Sequence, residues 1–133
     1  MPNIKLQNIE AAHYDASIPA VIAPYSGYLA FEEFKSVALH HIEILKRNAS
    51  YKMLVDTSKM AVMPQQSQEW IEVNWFPRAV NAGLKHMAFL VPENVFGEIS
   101  MQNANNQAEK KSTVNIKYFK DLSTARSWLK QQN

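Results

Sequence analysis

The sequence predicts an α/β fold, a mostly parallel sheet of about five strands with an N-terminal hairpin and four helices. Two observations lead there. After two strands near the N-terminus, helical stripes and apolar runs of strand length alternate three times, and the chain closes on a further helix. That order suits right-handed crossovers between parallel strands. Within it, Met53-Leu54-Val55 and Met87 to Val91 are short apolar runs that flank one long helical pattern, so the stretch from Met53 to Val91 forms a strand-helix-strand unit around which the chain is organised.

Each element has its own warrant. Ile4, Leu6 and, after a shift in phase, Ile9 suggest an irregular first strand running toward His13 and Tyr14. Asp15 to Pro19 supplies turn chemistry, and a second strand follows from Ala20 to Ala23, ending near Pro24, which has no N–H for an interior ladder. From Ala30 to about Arg47, Phe31, Phe34, Val37, Ala38, Ile42 and Leu45 form one helical stripe that also contains His41. Asn48 to Ser50 carries stop signals before a strand from Lys52 to Asp56.

The next helix starts at Gln65 or Ser67 and runs to Ala82, with Gly83 as its C-terminal signal and a kink or break at Pro77. On a straight helix Trp70, Val73, Phe76, Pro77 and Val80 share one side, while Ile71, Trp75 and Ala82 lie roughly opposite. A strand from Lys85 to Val91 comes next, then a helix from about Asn94 carrying Val95, Phe96 and Ile99, which fades through the asparagines at 103 to 106. Val114, Ile116 and Tyr118 alternate with polar residues as a strand does. Asp121 or Ser123 caps the last helix, whose inner side is Leu122, Ala125, Trp128 and Leu129.

The whole chain of 133 residues is expected to be one domain. With 14 Lys and Arg against 12 Asp and Glu, scattered along the chain, it lacks the basic footprint of a nucleic-acid binder. The absence of cysteine excludes disulfides, a thiolate nucleophile and cysteine-ligated metal. The N-terminus has no signal-peptide pattern and no apolar run reaches membrane length, so a soluble cytoplasmic protein is expected.

Several chemistries find no support in the spacing. His40 and His41 point about 100° apart on a helix and cannot share an ion, and His40 with Glu43 is only two ligands. No nucleophile motif or phosphate-cradling glycine loop is present. The reading is therefore non-enzymatic, with no cofactor and no metal.

The residues Tyr25-Ser26-Gly27-Tyr28, Glu32-Glu33-Phe34, Leu54-Val55-Asp56-Thr57-Ser58-Lys59-Met60, Trp75-Phe76-Pro77-Arg78 and Tyr118-Phe119 with Ala125 and Trp128-Leu129 give the chain a familiar look. It resembles, over nearly its full length, the uncharacterised bacterial STAS-like or SpoIIAA-like proteins, named after the anti-sigma-factor antagonists. The resemblance implies a superhelix of strand and helix turns with sequential parallel strands. It also implies, in the best-known members, a phosphoserine switch, in which a strand ends in Asp-Leu-Ser and Asp-Ser-Ser-Gly opens the next helix. Asp56-Thr57-Ser58 matches the first element. Counting on places Pro64-Gln65-Gln66-Ser67 at the second, so glutamine stands at the phosphoacceptor position and the switch does not carry over. Ser67 is the nearest hydroxyl and is read as a helix-capping serine.

Two surfaces remain as candidates. Asp56, Thr57 and Ser58, where a parallel strand meets its loop, form a ligand-binding candidate, or else hold that turn by side-chain hydrogen bonds. Ile71, Trp75 and Arg78 form an interface candidate, because the helix is apolar on two faces; the alternative is that Pro77 breaks it and folds Trp75 into the core. The leading expectation is a non-enzymatic STAS-like interaction domain, acting on a protein partner or on itself as a homodimer. The alternative is a carrier or sensor of a small apolar or lipid-like ligand, since the related Sec14-like lipid carriers use such a cavity.

Overall fold

The computed structural model describes residues 3–92 and 114–133. Five strands, β1 (His13–Asp15), β2 (Ala20–Gly27), β3 (Lys52–Met60), β4 (His86–Leu90) and β5 (Asn115–Phe119), pair in that order into one sheet. β1 runs antiparallel to β2 and every later pairing is parallel. Asp15 shapes the hairpin turn by accepting from the Ser17 N–H and hydroxyl at 2.9 and 2.6 Å. Its other oxygen meets Arg126 Nη1 at 2.9 Å. The Ser17 hydroxyl first, and Arg126 second, hold this carboxyl down to about 2.

Side chains on the central strands alternate between two cores. Met53, Val55 and Met87 belong to a larger core that includes Phe34, Val37 and Leu45 of helix α2 (Phe31–Arg47). Leu54, Ala88 and Leu90 belong to a smaller core with Ala125 and Leu129 of the last helix (Leu122–Gln131). Burial on both faces is why these strands are apolar on successive residues. The sheet is thus the middle layer of three.

Three elements differ from expectation. Ile4–Ala11 is a helix, α1, rather than the start of a strand. Asn3 caps it, its Oδ1 accepting from the Leu6 N–H at 3.0 Å, and Leu6, which matched a two-residue period with Ile4, is in fact exposed. The decisive residue is Asn8, buried and tied to β2: its Nδ2 donates to Ser26 O at 3.1 Å and its Oδ1 accepts from Ser26 N at 2.9 Å. One side-chain amide stands in for a neighbouring strand, since β1 pairs only with Ala20 to Ile22.

β2 consequently runs past Pro24 to Gly27. Pro24 has the same strand parity as Ser26, whose polar groups face α1, so its missing N–H falls on the side away from β3. β3 lengthens with it, to Met60. Pro24 pairs with Asp56 but Ser26 pairs with Lys59, so Thr57 and Ser58 together oppose Tyr25. The extra residue makes a bulge in β3.

The helix after β3 is the third departure. It comprises α3 (Gln65–Trp70), a π-helical turn (Ile71–Trp75) and α4 (Phe76–Asn81). Pro77 cannot donate to Val73, and the turn before it widens so that the Phe76 N–H bonds Ile71 O, five residues back. Four residues overshoot one α turn and fall short of the wider π turn. The π turn thereby returns Ser67, Ile71, Trp75 and Ala79 to one row facing the sheet. Val73, which the straight-helix reading places inside, is 71% exposed, whereas Trp75 is 5% exposed.

The four helical units among the described residues are thus α1, α2, the run from Gln65 to Asn81, and the last helix, designated α5, capped by Asp121 Oδ1 on the Thr124 N–H at 2.9 Å. The helix expected from Asn94 lies outside the described residues.

Candidate functional site

Side chains from both strands and helices converge on a half-open cavity of about 50 Å³. β2 contributes Tyr25, and α2 contributes Phe34, Ala38 and His41. Val55 and Thr57 come from β3, Met87 and Phe89 from β4. Ile71, Trp75 and Phe76 close the space from the π turn and its exit, with Met63 beside them. A wider surface groove, of about 580 Å³, shares Met63, Ile71, Phe76 and Phe89 with it and adds Ile116, Tyr118, Gln65, Gln68, Glu69 and Glu72. Phe89 and Tyr118 stack along that groove at 5.2 Å.

The polar groups in the cavity wall are few, and two are already committed. Trp75 Nε1 donates to Ala38 O at 2.8 Å. The Thr57 hydroxyl donates to Leu90 O at 3.0 Å. The third feature is a Tyr25–His41 pair, with Oη and Nδ1 3.4 Å apart and the rings edge to face at 5.1 Å. Phe34 stacks on the Tyr25 ring at 5.3 Å. His41 Nε2 is buried and has no hydrogen-bond partner among the described residues. Burial, and next the neighbouring His40, push the His41 ring down to about 3, so it is neutral. Burial also pushes the Tyr25 phenol upward, which keeps it protonated.

The candidate residues are regrouped by this geometry. Thr57, Ile71 and Trp75 wall the same cavity, but Asp56, Ser58 and Arg78 do not. Asp56 instead accepts from the Ser58 N–H and hydroxyl at 2.9 and 2.6 Å, holding the bulge that sets Thr57 opposite Tyr25. Trp75 is turned inward, as in the alternative that folds it into the core, but through a widened turn rather than a break at Pro77. Arg78 remains exposed on α4. Ser67 is also not the capping serine expected: it lies three residues past the Pro64 cap, wholly buried, with its hydroxyl unpartnered among the described residues.

Sequence reasoning missed Tyr25 and His41 as partners. A histidine inside an apolar stripe was the available signal, but the bulge that brings Tyr25 opposite Thr57 leaves no spacing rule to find it by. Among the described residues, no group of three or more His, Asp or Glu is placed to hold a metal ion, and no helix is long and apolar enough to cross a membrane.

A sequential parallel sheet with one antiparallel edge and helices on both faces defines a class of small α/β domains. The comparison with protein families makes that specific: residues 20–130 match the SpoIIAA-like family model, and the chain belongs to that family. Among solved structures it is similar to an uncharacterised protein of the DUF3478 family with a SpoIIAA-like fold from Shewanella loihica PV-4. That likeness covers 90% of each chain at 14% identity with a TM-score of 0.59. A search of curated proteins finds no match. SpoIIAA-like domains are in general regulatory rather than enzymatic and act through protein contacts.

Proposed function

We propose that this protein is a non-enzymatic regulatory domain that senses a small apolar molecule bound beneath the π turn. The observation that carries the reading is the apolar cavity itself, assembled from three strands and two helical units, with a π turn as one wall. Apolar pockets with a few convergent polar groups are the usual form of ligand sites, and π turns recur at functional sites. A volume of about 50 Å³ holds a few heavy atoms. Anything longer, a lipid-like chain included, would have to continue into the adjoining groove.

The same π turn offers a route to an output. Ile71 and Trp75 face the cavity, while Val73, between them, points to solvent. A ligand that alters the packing of the first pair moves the exposed residue with them, and a protein partner on the outer face would detect it. On this reading the contact surface is at Val73 rather than at Trp75.

Ala38→Ile is the test, since it adds three carbons to the cavity wall from a helical position. Native mass spectrometry of gently purified protein should show a small bound mass, or saturable uptake of added small apolar molecules, in the original protein and neither in the variant. A bare chain that takes up none of them in either form would overturn the reading.

A further inference from the structure

The proton inventory of the Tyr25–His41 pair carries the site one step further. A neutral tyrosine and a neutral histidine bring two donor protons between them, one O–H and one N–H. Their mutual contact, from Tyr25 Oη to His41 Nδ1, uses one of the two. If the phenol donates, the proton left over is on His41 Nε2, which has no partner among the described residues. If instead Nδ1 donates, the phenol O–H is left over. Either tautomer leaves one buried donor unfilled, and no other hydrogen bond of either side chain among the described residues supplies an acceptor for it. His41 is 1% exposed and Tyr25 7%. Leaving a donor buried and unpaired costs about 1–3 kcal/mol, so the cavity favours whatever occupant repairs the deficit.

The remaining wall narrows the chemistry. Thr57 and Trp75 have spent their donor protons on Leu90 O and Ala38 O. The wall has no Lys, Arg, Asp or Glu to balance a charged ligand, and an unpaired charge in such surroundings is strongly disfavoured. A pure hydrocarbon fits the shape and leaves the donor unfilled. We infer that the cavity selects a small neutral molecule presenting one hydrogen-bond-accepting oxygen, of the alcohol or carbonyl type, to the Tyr25–His41 pair, with its apolar remainder directed to the groove between Ile71 and Phe89. This rests on the ligand-sensing reading above.

The experiment titrates the protein separately with 2-butanone, 1-butanol and n-pentane, following amide spectra for affinity and the ¹⁵N resonances of the His41 ring for contact. With each affinity referred to the probe's own transfer from water to an alkane, the two oxygenated probes should bind about tenfold or more tightly than the hydrocarbon, the equivalent of about 1.4 kcal/mol or more for the rescued donor. They should also move the His41 ring resonances. In Tyr25→Phe/His41→Leu, which removes both donors, the preference should vanish. The preference in the unmodified protein is decisive whether or not that variant folds.

Equal binding of all three probes on that transfer-corrected scale overturns the inference while leaving the ligand-sensing reading standing. So does binding of the oxygenated probes with the His41 ring resonances unmoved, which would mean that a buried water only fills the donor. Failure of all three to bind removes the cavity reading as well as the inference.

Discussion

Truncation of Trp75 separates a core residue from a contact residue. In the structure the indole is 5% exposed, packs edge to face on Phe76 at 5.2 Å and donates to Ala38 O at 2.8 Å. Trp75→Ala removes that contact area and opens a void beside an existing cavity, for a loss of about 3–5 kcal/mol. Trp75→Phe keeps an aromatic ring but loses the N–H and part of the volume, for about 1–3 kcal/mol. Both are large against the roughly 5–15 kcal/mol that holds a small domain folded. Urea unfolding followed by far-ultraviolet circular dichroism measures them, since Trp70 and Trp128 would obscure a fluorescence signal. The midpoint should fall with the slope unchanged, and sedimentation of the folded variants should match that of the original protein. A Trp75→Ala protein that loses less than about 1 kcal/mol but sediments differently would refute the argument and return Trp75 to a contact surface.

Two further outcomes follow from buried polar groups. Asn8→Ala strands the Ser26 N–H and carbonyl that Asn8 serves, at about 2–4 kcal/mol in the same unfolding assay; a loss under about 0.5 kcal/mol would mean that α1 does not secure the edge of β2. His41 is held neutral down to about 3 in the folded protein, whereas in the unfolded chain it takes up a proton near 6.5. The unfolded state therefore binds more protons through this interval, and the residue's contribution to stability is present above about 6.5 and is lost as the pH falls from there toward 3, by up to about 1.4 kcal/mol per pH unit. Unfolding free energies measured across that range should show the slope, and His41→Leu should flatten it; an unaltered slope in the variant would locate the titration elsewhere.

What the sequence determined by itself was the layer order. Successive apolar residues in β3 and β4 can only be covered on both faces, and the alternation with the α2 stripe leaves a sequential parallel sheet as the economical arrangement. The count from Asp56-Thr57-Ser58 to Gln65 likewise needed no coordinates, because it asks only which side chain stands at a position. Two features escaped for a shared reason. Asn8 and Tyr25 owe their roles to residues far along the chain, Ser26 in one case and His41 and the β3 bulge in the other. No local period encodes such partners, and α1 was accordingly misread from the chance spacing of Ile4 and Leu6.

The facing of Trp75 shows the same division at a single residue. Pro77 announced that the helical ladder must fail nearby, and that much is local chemistry. Whether the failure becomes a break, a kink or one widened turn depends on which arrangement packs best against the sheet. Here the π turn keeps Ser67, Ile71, Trp75 and Ala79 in one inward row, Ile71 half-buried and the others buried, and sends Val73 to solvent. A wheel drawn at a constant 100° per residue has no means of representing that change of pitch. The cavity exists only after this choice, since Ile71, Trp75 and Phe76 meet Tyr25, His41 and Thr57 across the layer between helix and sheet. The residues were legible in the sequence, but their meeting point was set by tertiary packing.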